Sequence, residues 1–445
     1  MARLLLTFLL FAAAAACSGD KKPPATPTPP DTATAVASPS ATRSPTPRPS
    51  GSTRQVAPLS PGTTLTPGVF EFELANGRFW PESGEWSPDG SHKLVSSDCG
   101  PASYSCIELT DLDAGRARVL ISEGTNIRGW SPKGDAILYT TFAGGEYDNG
   151  LFLQPLAGGP PKQIDITGLQ IGRGARFIWR PGHNEFAIEN TADFSAVYLL
   201  DIDDSTKNKR IIAPQTQYGV PVIVDGWSHD GRWLLLREFS ISANVGGNLY
   251  AYDMDNDSFL TLYVGCCATG AWSPTRNDLL LGITSSELQS QMYLLTERDF
   301  LNPQAALSRP PLAVGGNANW SPDGNMIAYS VMKCGNDDWY TGVVNRDGSG
   351  NRRLPGQMKA YRFQNEWSPD GRYIAYAGYF APTADHGSSG IFMYDLAASR
   401  EIALVMTPPP PANLGDTVEP LRLGSWSPDG RFLGFNLGFG FGFCD

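Results

Sequence analysis

The apolar residues of this chain fall in short runs rather than in helical stripes. One type of run recurs eight times: His92-Lys93-Leu94-Val95, Ala136-Ile137-Leu138-Tyr139, Glu185-Phe186-Ala187-Ile188, Trp233-Leu234-Leu235-Leu236, Leu279-Leu280-Leu281-Gly282, Met326-Ile327-Ala328-Tyr329, Tyr373-Ile374-Ala375-Tyr376 and Phe432-Leu433-Gly434-Phe435. Runs this short and this apolar predict strands buried between stacked sheets. Each follows a tryptophan and a turn. The sequence Trp-Ser-Pro-Asp-Gly stands intact at Trp86, Trp320, Trp367 and Trp426, and in altered form at Trp130, Trp179, Trp227 and Trp272. Serine opens a type I turn, proline presets φ at its second position, aspartate is accepted at the third and glycine suits the fourth. The turn therefore ends one strand and begins the next.

A third strand follows a variable loop, as at Leu249-Tyr250-Ala251-Tyr252 and Ile391-Phe392-Met393-Tyr394, and turns at pairs such as Ala114-Gly115, Gly158-Gly159 and Asp347-Gly348 into a fourth. Four antiparallel strands per repeat of 44 to 59 residues predict the blades of a β-propeller. After Trp426 the chain has room for about two strands. The missing pair is expected at the other end, where residues 69–74, an Asn76-Gly77 turn and residues 78–80 read as a third-and-fourth-strand hairpin. The expectation is all-β: eight blades, closed by N-terminal strands beside residues 421–437, which removes two open sheet edges. Over residues 68–445 the repeats resemble the TolB-like β-propeller family. That resemblance implies a fold far more than a function. The separate N-terminal α/β domain of TolB itself has no counterpart here. Peptidase propellers are also similar, but a hydrolase domain follows them.

The start of the chain reads differently. Residues 1–17 carry Arg3, an apolar run from Leu4 to Ala16 broken only by Thr7, and small residues before Cys17. Thirteen residues are short for a transmembrane helix, so the segment reads as an export signal. Its end resembles a bacterial lipoprotein signal, which implies lipidation of Cys17; cleavage after Ala-x-Ala to give a secreted protein is the alternative. Residues 18–67 hold twelve prolines and no aromatic residue, a disordered tether able to hold a domain clear of a membrane. Residues 68–445 form the propeller.

Charge and composition narrow the chemistry. Residues 1–67 hold six Lys/Arg against two Asp/Glu, which leaves 28 against 43 for the rest. A disc of net charge −15 argues against nucleic acid as a partner. The four histidines, His92, His183, His229 and His386, are scattered, which argues against a metal or cofactor site. There is no Gly-x-Ser-x-Gly elbow. Asp253-x-Asp255-x-Asp257 mimics a calcium loop, but no glycine follows and Val264 stands where a glutamate is required. No catalytic constellation emerges, and the tryptophans read as structural anchors.

Six cysteines remain besides Cys17, and Cys99 with Cys106 is the expected local disulfide. Cys266, Cys267, Cys334 and Cys444 leave three connectivities open. Strand direction places all six on the face of second-to-third-strand and blade-to-blade loops, opposite the short turns. The insertions 142–150, 239–247, 379–390 and 407–420 fall on that same face, where binding residues concentrate. Glu146, Tyr147, Asp148, Asp337, Asp338, Trp339, Tyr379, Phe380, Asp385 and His386 are its exposed candidates. The expectation is a monomeric, membrane-anchored, extracytoplasmic scaffold, periplasmic or at the cell surface, that binds a protein or peptide. A carbohydrate-directed propeller and a degenerate peptidase propeller gating a separate hydrolase are the alternatives.

Overall fold

The computed structural model describes residues 54–55, 85–98, 105–122, 125–141, 148–172, 175–189, 196–212, 214, 222–238, 248–265, 268–284, 290–331, 340–355, 365–383, 386–406, 421–430 and 433–437. Their strands form eight antiparallel sheets that succeed one another along the chain, here called blades 1 to 8. Blade 1 comprises Glu85–Trp86, His92–Asp98, Ser105–Asp111 and Arg116–Ile121. Blades 2 to 7 also have four strands each, beginning at Thr125–Trp130, Phe177–Trp179, Val222–Trp227, Ala268–Trp272, Gly316–Trp320 and Asn365–Trp367. Blade 8 shows two, Leu421–Trp426 and Leu433–Leu437. Every blade thus opens on a strand that ends in the repeat tryptophan.

The core lies between the sheets. Seven buried apolar clusters occupy the seven junctions from blades 1 and 2 to blades 7 and 8. The second strands show why: Leu234 and Leu236 face the junction with blade 3, while Trp233 and Leu235 face blade 5. A period of two sends alternate residues to opposite faces, so a strand covered on both sides must be apolar throughout. Each fully buried leucine contributes roughly 1.5–3 kcal/mol.

The turns are built alike. Ser87 Oγ donates to Asp89 at 2.6 Å and accepts the His92 N–H at 2.8 Å, while the Gly90 N–H donates to Ser87 O at 2.9 Å. Ser321 with Asp323, and Ser368 with Asp370, repeat the arrangement. Gly90 has φ +72°, a conformation that side chains with a Cβ rarely adopt. The Ser87 hydroxyl, helped by the N–H and hydroxyl of Ser91, holds the Asp89 carboxyl down at about 2.

Three features depart from the sequence reading. Residues 379–383 and 386–390, read as part of a variable loop, extend the second and third strands of blade 7, which run Tyr373–Thr383 and His386–Asp395. An insertion also lies on the turn face, where a 3-10 helix Glu297–Leu301 and a short α-helix Pro303–Leu307 separate the last two strands of blade 5. Phe300 anchors it edge-on against Trp233 and Trp272, 5.4 and 5.7 Å between ring centres. Finally, Arg54–Gln55, within the Pro-rich segment, pairs antiparallel with the outer strand of blade 1. The closing hairpin expected at residues 69–80 lies outside the described residues.

Candidate functional site

One hydrogen bond recurs around the first strands. The indole N–H of a repeat tryptophan donates to the carbonyl of the residue just before the tryptophan of the preceding blade. The bonds are Trp130 to Glu85 (3.1 Å), Trp227 to Ile178 (3.0 Å), Trp272 to Gly226 (3.3 Å), Trp320 to Ala271 (3.0 Å) and Trp367 to Asn319 (3.1 Å). Trp86 donates to Ser425 at 3.2 Å, which places the first blade beside the last. The turns agree, since a Cβ on Gly90 would sit 2.6 Å from Asp429 Cγ. The buried indole nitrogens of Trp179 and Trp426 lack such a partner. Six of the eight repeat tryptophans thus join neighbouring blades through this bond.

Where the first strands begin, on the loop face, blades 2 to 4 carry buried charge. In blades 2 and 4 a β-bulge precedes the tryptophan and takes a charged residue out of the ladder: Arg128 before Gly129, and Asp225 before Gly226. Gly129 and Gly226 have φ +131° and +150°. Arg128 is thereby aimed at blade 3, where it donates to Ala175 O (2.9 Å) and Gly172 O (3.2 Å). It also donates to Thr140 Oγ1 (3.0 Å), pairs with Asp148 and lies over the Phe177 ring. Asp225 pairs with both ends of Arg237, at 2.9 and 3.0 Å. Burial alone would depress Arg237; the Asp225 carboxylate more than offsets it and holds the guanidinium above its usual range.

Two further carboxylates complete the group. Glu189 accepts the Val224 N–H at 2.7 Å and lies 3.6 Å from Arg176, yet burial keeps its pKa raised. Glu238 is 2% exposed and accepts from Asn248 at 2.9 Å and Tyr250 at 3.2 Å. Burial, followed by the Glu238 charge, pushes the Tyr250 phenol up to about 12 although Asn248 opposes it. Across the ring, Glu366 stands immediately before Trp367, half-buried, and burial pushes it up to about 7. Arg128, Arg176, Glu189, Asp225, Arg237 and Glu238 do not figure among the sequence-based candidates. The readable signal was a charged residue and glycine before tryptophan, at Arg128-Gly129-Trp130 and Asp225-Gly226-Trp227.

The expected binding face can be placed in part. Asp148 is not an exposed loop residue: its side chain is fully buried and holds Arg128, with Asn126 Nδ2 3.3 Å away. Pairing with the bulge arginine draws it in. Tyr379, Phe380 and His386 belong to the blade 7 hairpin, paired in register with Ser389, Ser388 and Thr383. Glu146, Tyr147, Asp337, Asp338, Trp339 and Asp385 lie outside the described residues, as do Cys17 and Cys99. Cys106 is fully buried, its Sγ 3.0 Å from Ser97 Oγ. The calcium-like turn is filled by protein: Arg232 donates to Asp253 Oδ1 (3.1 Å) and Oδ2 (2.8 Å), and Asn256 also donates to Oδ2 (2.7 Å). Among the described residues no three His, Cys, Asp or Glu side chains gather as a metal site. Among them, too, no helix is long and apolar enough to cross a membrane.

No family model matches the chain, and neither does any curated protein. Solved structures do. One comes from a study of two prolyl endopeptidases, with a TM-score of 0.52 at 11% identity over 79% of this chain and 53% of that one. This chain thus spans about half the length of that protein. A TolB protein from Agrobacterium tumefaciens aligns at 20% identity over 72% of this chain and 93% of its own, with a TM-score of 0.35. An oligogalacturonate lyase from Vibrio parahaemolyticus aligns at 12% identity over 78% and 82%, with a TM-score of 0.43. At 11% identity the likeness to the first of these concerns the fold alone, and that fold is a β-propeller.

Proposed function

We propose that this chain is an exported, membrane-anchored propeller of the TolB-like type that holds a protein or peptide on its loop face and performs no chemistry of its own. The observation that carries this reading is the blade 7 hairpin. Its strands run 11 and 10 residues, whereas the second strands of blades 2 to 6 run five or six. Among the described residues the fourth strand, Arg400–Met406, pairs as far as Gly390, and the rungs at Tyr379 and Phe380 lie further out along the hairpin. A long hairpin rooted in a four-stranded sheet is a projection on a stiff base, and rigid scaffolds carry recognition on such projections. The charged groups of blades 2 to 4 support the non-catalytic part, because they are engaged with one another or with backbone.

In this reading residues 69–80 complete an eighth blade beside Leu433–Leu437, Cys17 carries the lipid, and Cys99 bridges Cys106. The seam between Trp86 and Ser425 supports the closure, and the register supports the bridge: Asp98 pairs with Ser105, so Cys99 opens a loop that returns to Cys106. Peptide mapping without reduction tests the bridge. The binding reading is tested by placing a photo-crosslinking amino acid at Tyr379 in the native cell envelope, with the turn-face residue Asp323 as control. A discrete adduct from the hairpin alone is expected. Equal labelling at both positions, or none, overturns it.

A further inference from the structure

The outer strand of a propeller blade is an open sheet edge, with N–H and C=O groups unpaired along one side. Blade 1 carries a fifth strand on that edge. Arg54 pairs with Ala117 and Gln55 with Arg116, which makes it a five-stranded sheet whose outermost strand comes from the Pro-rich segment. The sequence independently marks this stretch as fit for the role. Proline has no N–H to give a ladder and is confined to edges and strand ends. Between residues 18 and 67 the two longest proline-free windows are residues 31–38 and 50–57, eight residues each. The observed pairing falls inside the second, bracketed by Pro49 and Pro58.

We propose that the outer edge of blade 1 is a strand-addition site whose occupant is this chain's own tether, clasped at Arg54–Gln55 in the same molecule. Two rungs flanked by prolines make a short clasp that cannot lengthen far in either direction. It fixes where the domain hangs. The fourth strand runs from the turn face toward the loop face, so the antiparallel clasp runs from the loop side toward the turns at the rim of blade 1. If Cys17 is the anchor, as proposed above, residues 18–53 separate it from the clasp. Those 36 residues reach about 35 Å as a coil and about 110 Å as polyproline II. The pairing itself does not depend on that anchor.

Hydrogen exchange on the full chain tests the clasp. Within the Arg116–Ala117 pair, the amide that faces the clasp is expected to exchange more slowly than the outward-facing amides of the outer strand of blade 4, Ser258–Tyr263. The double substitution Arg54→Pro, Gln55→Pro should speed exchange of that amide at least tenfold and leave the neighbouring strand Ser105–Asp111 unchanged. The same pair of prolines at Ala35 and Val36, in the other proline-free window, should change nothing. Equal exchange in the wild type and the Arg54/Gln55 variant, or an equal effect from the Ala35/Val36 control, overturns the proposal. So does protection that appears only with a concentration-dependent dimer, because the occupant is then a second copy. Cys17→Ala should leave the exchange pattern intact while releasing the protein from membranes; retention on membranes defeats the anchor and not the clasp.

Discussion

The indole nitrogen of Trp86 lies 3.2 Å from the carbonyl oxygen of Ser425, joining residues 339 positions apart. It is the bond seen at five other junctions, made here between the first repeat and the last. The first repeat and the last are therefore joined by the same bond that links neighbours along the chain. A net contribution of about 1 kcal/mol per bond is expected. Trp86→Phe removes the N–H together with some packing, whereas Trp426→Phe removes an N–H that has no acceptor. In urea unfolding, Trp86→Phe should cost about 1 kcal/mol more than Trp426→Phe. Equal costs would mean that the seam bond contributes nothing.

Arg128 ties blade 2 to blade 3, and Asp148 depends on it. Arg128→Met strands a carboxylate with a fully buried side chain, at a cost of about 3–5 kcal/mol. Adding Asp148→Leu removes the stranded charge and should restore at least half of that loss. A double variant no more stable than the single one would show that Asp148 is not the group left uncompensated.

Glu366 predicts a pH dependence. Burial raises its folded-state pKa from 4.5 to about 7, so the folded chain holds this proton more tightly than the unfolded chain does. The stabilisation is complete below about pH 4.5 and is lost as the pH rises through about 7. Its size is on the order of 3 kcal/mol. Glu366→Gln should flatten that part of the stability profile measured by denaturant titration between pH 4.5 and 8. An unchanged slope would assign the dependence to other groups.

The two bulge glycines should resist substitution. At φ +131° and +150° a Cβ is strained whatever space surrounds it, so Gly129→Ala and Gly226→Ala should each cost roughly 1–3 kcal/mol. Gly316→Ala is the control, since its backbone lies outside the left-handed region and a Cβ would meet its nearest neighbour, Ser290 Oγ, at 3.9 Å. It should change stability by less than about 0.5 kcal/mol. Chemical denaturation separates the two classes.

How far the sequence disclosed this structure depends on the range of the interactions. The Trp-Ser-Pro-Asp-Gly turns and the apolar second strands were legible because each is a local pattern repeated eight times. The helical insertion was legible in principle: Thr296 and Asp299 form a capping box, and Asn302 before Pro303 marks a second helix start. The length of the blade 7 hairpin was hidden by Gly378, Pro382 and Gly387, which read as loop residues. The burial of Asp148 could not be read locally, because it depends on a bulge 20 residues earlier that redirects Arg128.

The seam bonds also give the molecule a built-in optical sensor. Six junctions each hold one indole whose N–H is bonded across the interface, so parting two blades would hand that indole to water. Indole emission shifts to the red when it does. Replacing every other tryptophan, ten of the eleven, with phenylalanine would leave a single seam indole reporting on a single joint. The order in which the joints fail under denaturant or ligand could then be followed without attaching any foreign label.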